Sequence, residues 1–119
     1  PAYLYTRYNK PLMITENGLG AYDTLTENGR VHDDARIDYI KKHLRAMYRA
    51  IDAGVEVISY NPWSAIDLLS TSNGYKKRYG LIYVDRTDDD VKELKRYPKD
   101  SYYWYQKVIT TNGASIWED

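Results

Sequence analysis

Apolar residues come in short blocks along this chain, and the period changes from block to block. Leu12-Met13-Ile14 is an apolar run that stops abruptly at Thr15-Glu16-Asn17-Gly18. It predicts a strand over about Leu12 to Thr15. The residues before it, Tyr3 to Tyr8, resemble the end of a helix, which Asn9-Lys10-Pro11 breaks because Pro11 cannot continue it. Gly18 to His32 is polar, with a turn at Thr24 to Gly29. Gly18 and Gly20 are expected to let the chain turn sharply away from the strand.

A helix follows. Ile37, Ile40, Leu44, Met47 and Ile51 recur at spacings of three and four, one apolar stripe. Asp33 or Asp34 is placed to cap its start, and Gly54 to end it. Arg36, Lys41, Lys42, Arg45 and Arg49 fall on the remaining, solvated face. Val55 to Tyr60 is continuous enough to be a strand buried on both faces. Leu81 to Val84 is a further short extended piece, and Asp85 to Asp90 an acidic loop. A last helix starts between Pro98 and Ser101, turns Tyr105, Val108 and Ile109 inward, and stops near Asn112-Gly113. The Tyr102 to Tyr105 cluster is expected to pack this helix against its neighbours.

Strands alternating with helices imply parallel pairing and an α/β class. Two such strands joined by a helix form a crossover unit, but two strands cannot close a barrel. The expected architecture is the C-terminal portion of a (β/α)8 TIM barrel, its last two strands with their helices. Residues 1–119 would form a single segment of it. The chain opens on Pro1 in the end of a helix, which fits a piece of a longer protein.

The 119 residues carry 17 basic and 17 acidic side chains, so no global charge argues for nucleic acid or a membrane surface. No apolar run approaches the roughly 20 residues of a membrane helix. Cysteine is absent, which removes disulfides and thiolate metal sites and fits a reducing compartment. His32 and His43 lack the spacing of a metal site and are expected at the surface or at caps.

Four places carry candidate chemistry. Glu16 ends a strand, where a carboxylate is either solvated and ion-paired or held as a nucleophile or base. Trp63, just past the second strand, is either core or a flat apolar platform for a sugar ring. Asp67 is expected to cap or to accept hydrogen bonds. Ser70 to Tyr79 joins a hydroxyl, a glycine loop, the cations Lys76, Lys77 and Arg78, and a phenol. That set is either solvated surface or the donor set of a phosphate site. It is not a P-loop, since no glycine-rich pattern precedes the lysines.

These residues resemble a known family. Ile14-Thr15-Glu16-Asn17-Gly18 is similar to the nucleophile strand of family 1 glycoside hydrolases, the retaining β-glucosidases. Trp63-Ser64-Ala65-Ile66-Asp67 resembles the segment after their eighth barrel strand. The resemblance runs from Tyr3 to Gly113. It implies that Glu16 is the catalytic nucleophile and that Trp63 lines the sugar site. Ordinary β-glucosidases continue with a Glu and a second Trp, where this chain has Ser70 and Thr71. Ser70, Lys77 and Tyr79 match the Ser…Lys-x-Tyr pattern of the 6-phospho-β-glycosidase branch, whose members hold a sugar 6-phosphate there. A Ser donates to a phosphate where a Glu would repel it.

The resemblance implies a two-step retaining mechanism without metal or organic cofactor. Its substrate would be a phosphorylated β-linked disaccharide or aryl glucoside, in cytoplasmic carbohydrate catabolism. The acid/base residue, in an N-E-P motif, is not among these residues, so the 119-residue chain alone is expected to lack turnover. Two alternatives stand beside this reading. One is a β-glucosidase for unphosphorylated sugars. The other is a non-catalytic sugar-phosphate-binding piece, with exposed strand edges open to an oligomer.

Overall fold

A computed structural model describes residues 1–119. Helix α1 covers Ala2–Tyr8 and strand β1 Leu12–Asn17. Helix α2 (Asp34–Asp52) leads to β2 (Val57–Pro62). Two three-residue strands follow, β3 (Ile82–Val84) and β4 (Arg96–Pro98), then helix α3 (Asp100–Thr110) and a 3-10 turn at Ala114–Trp117. No helix is long and apolar enough to cross a membrane.

β1 and β2 pair in parallel, with Leu12 opposite Val57 and Ile14 opposite Tyr60. This is the expected strand, helix, strand unit. β3 and β4 form a separate antiparallel pair, Ile82 opposite Pro98 and Val84 opposite Arg96. The sequence pattern predicts the first of these strands but not its partner, which is too short and polar to show a period.

The core lies between α2, α3 and the chain after β2. Ile40, Leu44 and Met47 of the α2 stripe are buried with Leu81, Val108 and Ile116. Ile14, Val57 and Tyr60 from the sheet pack against them, as do Tyr102, Trp104 and Tyr105 from α3. Gly54, at positive φ just after α2, ends that helix as expected.

Several expectations need correcting. β1 continues to Asn17, two residues beyond the expected end near Thr15, so Glu16 lies within the strand next to its last residue. β2 is shifted to Val57–Pro62, because pairing with β1 starts at Val57, two residues after the turn. It is not buried on both faces, since Ile58 is 64% exposed on the side away from α2. Ile109 is also 64% exposed, because α3 turns only Val108 fully into the core. Gly18 and Gly20 do not have positive φ, so their role is close approach and not a left-handed turn.

Asp33 does not cap α2 with its side chain. Its Oδ1 instead accepts the Ser101 N–H at 2.9 Å, and so caps α3 from across the molecule. Lys99, at the N-cap position of α3, has no acceptor to do this itself. Arg36, placed by the pattern on the solvated face of α2, is 1% exposed.

Candidate active site

The tips of β1 and β2 lie side by side. The Trp63 N–H donates to the Asn17 carbonyl at 2.8 Å, so the residue after Glu16 is tied to the proposed sugar platform. A Cβ at Gly18 would overlap the Trp63 carbonyl oxygen, which explains the glycine there. The Asn17 side chain is held from β2 and α2. Tyr60 Oη donates to Asn17 Oδ1 at 2.7 Å, and Asn17 Nδ2 donates to Tyr39 Oη at 3.4 Å. Burial pushes the Tyr60 phenol well up, with Tyr105 and Tyr39 adding to it, so it remains a donor throughout the neutral range. Glu16 itself is exposed, and Trp63 is 41% exposed, in neither case buried as core.

Tyr79 joins this group through two contacts. Its carbonyl accepts the Ser64 N–H at 2.9 Å. Its ring rests on Gly20, where a Cβ would meet the phenol at 2.5 to 2.8 Å. Ser70 sits farther along, in a tight loop that it closes by mutual backbone bonds with Gly74. No hydrogen bond joins Ser70 to Glu16 or Trp63. Lys77 is half-buried and takes part in no ion pair, unlike Arg78 beside it.

Arg78 leaves the candidate phosphate donors. It is buried, and its guanidinium donates to Asp67 Oδ2 at 2.9 Å, the Val84 carbonyl at 2.7 Å and the Arg86 carbonyl at 2.8 Å. It also lies 3.9 Å from the centroid of the Tyr83 ring. Asp67 has the hydrogen-bonding role expected of it. Besides Arg78 it accepts from Lys99 Nζ at 2.7 Å and from the backbone N–H groups of Gly80 and Val84.

Lys99 also donates to Asp23 Oδ2 at 2.7 Å, and Arg36 pairs with Asp23 at 2.9 Å and Asp33 at 2.6 Å. The network therefore holds three carboxylates (Asp23, Asp33, Asp67) and three cations (Arg36, Arg78, Lys99), and its charges cancel. Every side chain in it is 8% exposed or less. Burial pushes the Arg36 guanidinium down, but its bonds to Asp23 and Asp33 outweigh that and hold it above its ordinary value. Sequence reasoning missed the network because its members are up to 76 residues apart. The only local signal is the i, i+3 pair of Asp33 and Arg36.

The histidines lie at the surface. His32 bonds Asp100 at 2.7 Å, and His43 bonds the Tyr39 carbonyl at 2.8 Å. No cluster of three or more His, Asp or Glu side chains is arranged to hold a metal.

The chain is 53% identical over 111 residues to the aryl-phospho-beta-D-glucosidase BglC of Bacillus subtilis, covering 93% of this chain and 23% of that protein. It is 54% identical over 118 residues to a 6-phospho-beta-glucosidase of Clostridium longisporum, covering 95% of this chain and 25% of that one. The family 1 β-glucosidase of Thermotoga maritima superimposes with a TM-score of 0.85 at 42% identity, over 93% of this chain and 24% of that one. The chain thus spans about a quarter of the length of the relatives it matches. The model of glycosyl hydrolase family 1 matches residues 2–114, nearly the whole length that carries Glu16, Trp63 and the buried charge network, and the chain belongs to that family.

Proposed function

We propose that the full-length protein is a retaining β-glycosidase acting on 6-phospho-β-glucosides, either phosphorylated disaccharides or aryl glucosides. Residues 1–119 would be one segment of it, the last two strands of a (β/α)8 barrel with their helices. Glu16 is the nucleophile. Its carboxylate attacks the anomeric carbon while an acid from another part of the barrel protonates the departing oxygen. The carbon–oxygen bond to the leaving group breaks and a glycosyl-enzyme ester forms. Water then attacks the anomeric carbon, gives its proton to the same group now acting as base, and frees Glu16. The two carboxyl groups of such a pair stand about 5 to 5.5 Å apart. Trp63 supports the sugar ring, and Ser70, Lys77 and Tyr79 hold the phosphate.

Lys77 is the observation that carries the phosphate reading. It is half-buried beside a charge network that is already neutral, and it pairs with no carboxylate of residues 1–119. A phosphate dianion supplies one. The comparisons favour the same choice, with 53% and 54% identity to the two phospho-glucosidases against 42% to the β-glucosidase structure. A β-glucosidase for unphosphorylated sugars is therefore the second reading.

The test compares an aryl β-glucoside with its 6-phosphate, using the full-length protein. The phosphorylated substrate should have the higher kcat/KM. Lys77→Ala should raise its KM roughly 10- to 100-fold, the value of one charge-assisted hydrogen bond. Preference for the unphosphorylated substrate, or an unchanged KM in Lys77→Ala, would refute the phosphate assignment.

A further inference from the structure

Lys77, Arg78 and Tyr79 are consecutive, with Lys77 in a bend and Arg78 in an isolated bridge. The Arg78 N–H and carbonyl both pair with Ala21 at 2.8 Å, as an antiparallel bridge. Arg78 is buried, while Lys77 and Tyr79 on either side of it are half-buried. Arg78 is anchored at almost every polar atom it has. Its carbonyl also accepts from Arg36 Nη2 at 2.7 Å, and its guanidinium is held by Asp67, Val84 and Arg86.

Asp67 is the hub of these contacts. One oxygen takes Arg78 and the Val84 N–H, and the other takes Lys99 and the Gly80 N–H. Asp67 thus grips the stretch at Arg78 and again at Gly80, on both sides of Tyr79. The second grip is close enough that a Cβ at Gly80 would overlap the Ile66–Asp67 backbone. Its own N–H donates to the Ile82 carbonyl at 2.9 Å, so the hub is fixed to β3.

We propose that Asp67 is a positioning residue for phosphate selectivity: by clamping Arg78 and Gly80 it sets the position at which Lys77 and Tyr79 meet the substrate phosphate. This rests on the phosphate reading above. Asp67 touches neither phosphate nor sugar, and acts through the backbone it holds. Without its charge, Arg78 loses its only carboxylate partner and the stretch shifts. Misplacement of a binding group by about 1 Å costs roughly 100-fold.

The full-length protein carrying Asp67→Asn tests this, with the aryl β-glucoside, its 6-phosphate, and inorganic phosphate as competing ligand. KM for the phosphorylated substrate and the inhibition constant of phosphate should both rise roughly 10- to 100-fold. The ratio of kcat/KM between phosphorylated and unphosphorylated substrates should fall, with kcat on the phosphorylated one changing less than KM. Arg78→Lys keeps the charge count but loses the contacts to Val84 and Arg86, and should shift the same ratio in the same direction. Equal losses on both substrates would overturn the proposal, as would an unchanged inhibition constant. Failure of both variants to fold would also overturn it, since the clamp would then serve folding alone. Lys77→Ala separates the two claims. If Lys77→Ala lowers the selectivity and Asp67→Asn does not, the phosphate site stands and the clamp falls. If neither does, both fall.

Discussion

Replacing Lys99 by Met leaves the buried network one positive charge short. Lys99 is 0% exposed and bonds Asp23 and Asp67 at 2.7 Å each. With Lys99 gone, Asp23, Asp33 and Asp67 face only Arg36 and Arg78, an uncompensated negative charge away from water. Methionine fills the volume of the lysine stem, so the change isolates the charge. Breaking a buried ion pair by removing one partner costs about 3–5 kcal/mol. That is a large share of the ~5–15 kcal/mol that holds a domain folded. The measurement is urea unfolding of the full-length protein followed by tryptophan fluorescence. A protein of this family's full length has a denaturant slope above the ~3 kcal/mol per M of small domains, so the midpoint should drop by roughly 0.5–1 M. A double variant, Lys99→Met with Asp23→Asn, restores neutrality and should recover part of the loss. A single variant that unfolds at the wild-type midpoint, or a double variant less stable than the single, would refute the charge-balance argument.

Glu16→Gln should lower kcat by roughly 10⁴-fold or more while phospho-sugar binding persists, because only the attacking oxygen is lost; turnover near the wild-type rate would remove Glu16 from the nucleophile role. Gly20→Ala puts a methyl group against the Tyr79 ring. It should cost about 1–3 kcal/mol of stability by overpacking and raise KM for the phosphorylated substrate, and steady-state kinetics showing no change in KM would disconnect Gly20 from Tyr79's function. Partial burial pushes the Asp100 carboxyl up, but its hydrogen bonds to His32 and Arg30 outweigh that and hold it below its ordinary value. The stability this supplies is full above the ordinary carboxylate range and is lost as pH falls through the depressed value. Since Arg30 and His32 are largely exposed, the effect is below ~1 kcal/mol. Asp100→Asn should lower the urea midpoint slightly near about pH 7 and not at about pH 2; an equal difference at both pH values would contradict it.

The chain's order of elements was legible because it is a matter of local period. The three- and four-residue spacing of Ile40, Leu44 and Met47 marks α2 and its buried face. The apolar run ending at Glu16 marks β1, although pairing with β2 carries the strand on to Asn17. The motif around Glu16 and the one from Trp63 to Asp67 are each continuous in sequence, so both could be read before any fold was known. The roles of Asp33, Arg36 and Arg78 could not be. An Asp before a helix normally caps that helix, yet Asp33 caps α3. An Arg among polar neighbours is normally solvated, yet Arg36 and Arg78 are buried.

The sequence by itself determined the α/β class, the two motifs that carry Glu16 and Trp63, and the family, since each depends on residues close together in the chain. The tertiary structure alone decided which cations are used up and which is left. Lys76, Lys77 and Arg78 are consecutive and chemically alike, but only Arg78, at the bridge to Ala21, is buried. Asp67, brought there by the turn after β2, neutralises Arg78 inside, while Lys77 is half-buried and forms no ion pair. Burial and pairing depend on which segments fold together, and no spacing along the chain encodes that.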